Sequence, residues 1–88
     1  MKDTNDAYHH AQRAIADLKA AVHFVLMNEP NGLTNAQVGR ILGIYGGHVG
    51  HEGHISRTLL AMLEGEGAAE QDSQSKRWQI KDHAADQQ

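Results

Sequence analysis

Histidine is the side chain most able to do chemistry in this sequence: there are seven in 88 residues, and no cysteine. His48, His51 and His54 recur at three-residue spacing within a glycine-rich stretch. Imidazole is the commonest metal ligand, so the spacing raises a metal site. On a regular helix, i and i+3 share a face, but i+6 is turned about 120° from i. Three ligands from one helix therefore converge poorly. A loop or a helix start would serve better, with Glu52, His9 or His10 as further donors. Without a metal, the same residues read as polar loop histidines or phosphate contacts. No His-Glu-x-x-His spacing occurs. The absence of cysteine excludes thiolate metal sites, disulfide scaffolds and cysteine nucleophiles. The glycines between Tyr45 and Gly53 lack the Gly-Lys-Ser/Thr ending of a phosphate loop. No spacing positions a serine, a histidine and an aspartate together, and the chain is small for a substrate pocket. The reading is a non-enzyme without a cofactor.

The elements that must carry these residues follow from apolar spacing and punctuation. Length allows one domain, 1–88. Twelve of its 35 hydrophobic residues are alanine, so the core is thin. Thr4, Asn5 and Asp6 offer N-cap oxygens for a long first helix over 7–28. Ala11, Ile15, Leu18, Val22 and Val25 form a seam at heptad spacing, widened by Leu26. The alanine-rich N-terminal half is either solvated or pairs with a second subunit through Tyr8, Ala11, Ile15 and Leu18. Pro30 and Asn31-Gly32 stop that helix. Thr34 and Gln37 have capping-box spacing at the start of a short helix over 34–43, with Val38, Ile41 and Leu42 as its buried stripe and Gly43 at its end. Four glycines in eight residues make Gly46 to Gly53 a poor helix, and its first part reads as a loop. A third helix spans 51–64, with Ile55, Leu59, Met62 and Leu63 on one face. A hairpin covers 68–81: a strand over Ala68–Gln71, a turn at Asp72–Ser75, and a strand over Lys76–Lys81 with Trp78 and Ile80 on one face. The tail, 82–88, is polar and reads as frayed.

The order of elements is helix, capped short helix, connector, amphipathic helix, hairpin. Leu33-Thr34-Asn35-Ala36-Gln37-Val38-Gly39-Arg40-Ile41-Leu42-Gly43-Ile44 resembles the first helix of the bacterial helix-turn-helix motif. Ile55 to Gly67 is similar to its second, recognition helix and the exit into a wing, and Trp78-Gln79-Ile80 to the returning wing strand. The chain thus resembles the winged helix-turn-helix DNA-binding family over 33–81. That resemblance implies a mainly α fold with a small β-hairpin, three helices plus a wing. The connector departs from the pattern: ten residues separate Ile44 from Ile55, where the family usually has three or four. Some winged-helix domains associated with bacterial nucleases and mobile elements also have a longer connector.

The resemblance implies a small transcriptional regulator that reads double-stranded DNA with its third helix and wing. His54, Ser56, Arg57 and Thr58 would face outward. Arg57 would take a guanine edge, and Arg40, Lys76 and Arg77 would hold phosphates. A homodimer would match a palindromic site. Two alternatives stay open: an adaptor of the same fold that binds only protein, and a metal-responsive regulator using His48, His51 and His54. The formal charge of −3 argues against a uniformly basic nucleic-acid binder. Its distribution weakens that argument, because Thr34 to Lys81 carries five basic and five acidic residues. Protonation of histidines would add positive charge as pH falls toward about 6. The most apolar stretch, Ala20 to Met27, is far short of the roughly 20 residues of a membrane span. The polar start lacks the apolar core of a signal peptide, so the expected location is the cytoplasm.

Overall fold

The computed structural model describes residues 2–47, 50 and 52–81. It contains three helices, α1 (Lys2–Met27), α2 (Asn35–Leu42) and α3 (His54–Gly65), and an antiparallel hairpin of β1 (Ala69–Gln71) and β2 (Trp78–Ile80). The chain is thus mainly helical, with one small two-stranded sheet.

α1 starts at Lys2 rather than Ala7. Thr4, Asn5 and Asp6 lie inside it and do not cap it. Their weak propensities are outweighed because each added residue gains a hydrogen bond once a helix exists, and neither glycine nor proline interrupts. Asp3 lies in the first turn, where negative charge complements the helix dipole. The helix ends at the expected place. Asn28 Nδ2 donates to Phe24 O at 2.8 Å, and Gly32 N to Glu29 O at 2.8 Å.

α2 begins with a complete capping box. Gln37 N donates to Thr34 Oγ1 at 3.2 Å, and Thr34 N to Gln37 Oε1 at 2.8 Å. It ends at Gly43, which is left-handed with φ 73°. Val38 is fully buried and Leu42 is half-buried, but Ile41 is 57% exposed. Ile41 therefore does not belong to the buried stripe. At about 100° per residue, Val38, Leu42 and Gly39 share one inward arc and Ile41 falls outside it, toward solvent.

α3 begins at His54, within the expected 51–64. Its inward face is rotated from the expected one. Ser56, Leu59, Leu60 and Leu63 are buried, Met62 is half-buried, and Ile55 is 48% exposed. The buried set follows i, i+3, i+4, i+7, as a helix packed on two neighbours requires. Leu60 is the core residue that the sequence pattern missed.

The hairpin pairs Ala69 with Ile80, Glu70 with Gln79 and Gln71 with Trp78. Both strands are shorter than expected; the second starts late, at Trp78, because a tight loop takes up the chain between Asp72 and Arg77. A further pairing escaped the sequence reading. Leu33 and Trp78 exchange backbone hydrogen bonds, N–H to O at 3.0 and 2.6 Å, which ties the hairpin to the α1–α2 link. Gly32 allows this approach at φ 84°, since a Cβ there would sit 2.9 Å from Gln79 Cγ and 3.0 Å from Trp78 O.

The core joins Val22 and Leu26 of α1, Leu33, Val38 of α2, the three leucines of α3, Ala69 and Trp78. Lys19 of α1 pairs with Glu66 just past α3. Among the described residues no helix is long and apolar enough to cross a membrane.

These burials set opposite outcomes for two aliphatic truncations. Leu60→Ala should cost about 2–4 kcal/mol in chemical denaturation, whereas Ile41→Ala should stay within about 0.5 kcal/mol of the parent.

Candidate nucleic-acid interface

The long connector does not separate α2 from α3. Gly53 N donates to Gly46 O at 3.0 Å, so the loop is closed at its neck. Only Gly43 to Gly46 intervenes before the chain arrives, through that bond, at the start of α3. The Gly53 carbonyl then accepts from three donors: Asn35 Nδ2 at 3.2 Å, Ser56 Oγ at 3.2 Å and Arg57 N at 3.0 Å. The first comes from α2 and the others from α3. Asn35 Oδ1 is buried with no partner among the described residues.

Tyr45 packs into the same joint. A Cβ on Gly39 would lie 3.0 Å from Ser56 Oγ and from Tyr45 Cβ, so α2 and α3 meet as closely as a glycine permits. Gly53 is left-handed at φ 83°, and a Cβ there would meet Asn35 Nδ2 at 2.7 Å and Tyr45 Cε1 at 2.9 Å. The Arg40 guanidinium stacks over the Tyr45 ring, 4.7 Å from its centroid.

Ser56 is not a surface residue. It is fully buried, donating to Gly53 O with a longer contact to Asn35 O at 3.5 Å. The sequence set it beside Arg57 on the outer face because Ile55, Leu59 and Met62 were expected to face inward. The α2–α3 crossing claims its hydroxyl instead, and it leaves the candidate interface.

The other candidates are all exposed: Arg40, His54, Arg57, Thr58, Lys76 and Arg77. Arg57 stands on the first turns of α3, with Nη2 3.5 Å from Glu52 O. His54 and Thr58 lie on the side of α3 facing α1, at the edge of an apolar groove shared with Ile15 and Leu18. On the hairpin loop, Asp72 Oδ2 accepts from Ser75 N at 2.6 Å and Gln74 N at 3.1 Å. Lys76 adopts φ 65°, the left-handed region, to close this turn. Arg77 Nη1 reaches Asn31 O at 3.5 Å, and Gln79 Nε2 donates to Pro30 O at 3.1 Å. The Ser75 amide and hydroxyl, the Gln74 amide and the charge of Lys76 together hold the Asp72 carboxyl below its usual range.

The ion pair Lys19–Glu66 involves none of the candidate basic residues. Arg40, Arg57, Lys76 and Arg77 carry no carboxylate ion pair among the described residues. Of the histidine triplet, His48 and His51 lie outside the described residues. Among those that are described, no three histidine, aspartate or glutamate side chains group to hold a metal ion. The 82–88 tail also lies outside them. Comparison with protein families, with curated proteins and with solved structures found no match.

Two predictions rest on these joints. Gly53→Ala combines a left-handed backbone with a close contact and should cost about 2–4 kcal/mol. Gly50→Ala, also left-handed but open to space, should cost only the conformational part, about 1 kcal/mol. Asp72 makes the hairpin turn acid-sensitive. Its lowered pKa means the turn's stabilisation is complete above the unfolded carboxylate pKa and is lost as pH falls through the folded value. The amide signals of Gln74 and Ser75 should shift together on acidification by NMR, and Asp72→Asn should abolish that shared titration.

Proposed function

We propose that this chain is a winged helix-turn-helix protein that binds double-stranded DNA, with α3 as the reading helix and the β1–β2 hairpin as the wing. The observation that carries the reading is the closed neck at Gly46–Gly53. It gives α2 and α3 the short effective turn of a helix-turn-helix despite the ten-residue connector, and it leaves Arg57 exposed on α3. The Leu33–Trp78 pairing supports it, because it fixes the hairpin beside the motif rather than leaving it to swing.

The roles divide by chemistry. Arg57, a planar fork of donors, suits a guanine edge in the major groove. Thr58 and His54 lie near it on α3. Arg40, Lys76 and Arg77 suit phosphates, which position the protein without reading sequence. A cytoplasmic small regulator is the setting that fits. The chain's acidic total argues for modest, salt-sensitive affinity.

Two variants separate the roles. Arg57→Ala should cost about 1–3 kcal/mol on the preferred sequence and little on random DNA. Lys76→Gln should weaken binding to every sequence alike and reduce the slope of log K against log salt by about one unit. Both are read by fluorescence anisotropy on labelled duplexes over a salt series. No binding at low salt, or binding indifferent to salt, overturns the reading.

A further inference from the structure

The apolar face of α1 does not stop where the core stops. Val22 and Leu26 are buried, Leu18 and Ile15 are half-buried, and Ala11 and Tyr8, the latter 60% exposed, stand in solvent. Every residue from Asp3 to Ala14 is exposed. That arm is still segregated by polarity. At 100° per residue, Ala7, Tyr8, Ala11, Ile15 and Leu18 fall on one side without a charge. Asp6, His9, His10 and Arg13 line a separate surface on the other side. A helix end that served only as a solvated extension would not need an uncharged face.

The same chain carries a surface to match. Where α1 crosses α3, Ile15, Leu18, Ile55, Leu59 and Met62 line an open groove of about 250 Å³ that is almost wholly apolar. The arm cannot fill its own groove, because α1 is one continuous helix and supplies the groove's wall. The arm of another copy can.

We propose that the chain forms a two-fold dimer in which the α1 arm of each copy lies in the α1–α3 groove of the other. The arrangement is self-complementary and closed, so it ends at two copies. It buries Tyr8, Ala11 and Ile55, and it brings the rim residues His54 and Thr58 beside the partner's arm. Arg57 and the wing remain outside it. The proposal goes beyond DNA binding and does not depend on it.

Sedimentation equilibrium of the full chain without DNA tests it, comparing the parent with Ala11→Glu, Ile55→Glu and Phe24→Glu. Phe24 is 66% exposed and lies on the far side of α1. The parent and Phe24→Glu should be dimers. Ala11→Glu and Ile55→Glu should each weaken association at least about 100-fold, since symmetry buries two unpaired carboxylates. All three positions lie outside the core, so circular dichroism should stay helical. A monomeric parent overturns the proposal. So does dissociation by Phe24→Glu alone, or by only one of the other two, since arm and groove must fail together. A dimer that ignores DNA would leave this proposal standing and overturn the DNA reading instead.

Discussion

One carbonyl group organises the motif. The oxygen of Gly53 receives donors from α2, from the Ser56 hydroxyl and from the first turn of α3. The amide of the same residue closes the connector onto Gly46. Together these bonds set the position of α3 relative to α2. They also demand a residue without a side chain, because the carbonyl can point inward only with a left-handed backbone and with Asn35 and Tyr45 pressed against the Cα. Ser56 is buried for the same reason. It supplies a donor where an apolar residue would leave the joint weaker, and burial of its hydroxyl is tolerable because the hydrogen bond is made.

The core built around that joint is small. Its nine buried apolar residues come from every element, the hairpin included. Trp78 therefore does two jobs: its side chain fills the core, and its backbone pairs with both Gln71 and Leu33. The hairpin's base is held by core packing while its tip is held by Asp72. The two ends of the hairpin thus answer to different conditions, the base to global stability and the tip to pH and local hydrogen bonding.

Charge is distributed to suit both proposed surfaces. Arg40, Arg57, Lys76 and Arg77 lack carboxylate ion pairs among the described residues, while Lys19, on α1, is neutralised by Glu66. The apolar part of α1 that runs beyond the core has its charges on the far side. A net negative chain can still present arginines to a polyanion, because local fields, not totals, govern an encounter within a Debye length of about 10 Å.

Much of this was legible in the sequence because local rules dictate it. The capping box at Thr34 and Gln37, the stop at Pro30 and the left-handed Gly43 each involve residues within a turn of one another, and their chemistry admits few alternatives. The exposed positions of Arg40, Arg57, Lys76 and Arg77 follow from the cost of burying charge. Only the tertiary structure decided the rest. Whether Ile55 or Ser56 faces inward depends on which neighbours a helix packs against, and apolar pattern alone put Ile55 inside and Ser56 outside. The ten-residue connector read as a loop that departs from the short turn of the motif, because no local pattern announces a hydrogen bond between Gly46 and Gly53. Nor could the Leu33–Trp78 pairing be read, since it joins residues far apart in the chain. The sequence by itself determined the elements and their ends, for those are matters of neighbouring residues. Their rotation and closure are matters of distant ones, settled only when the chain packs.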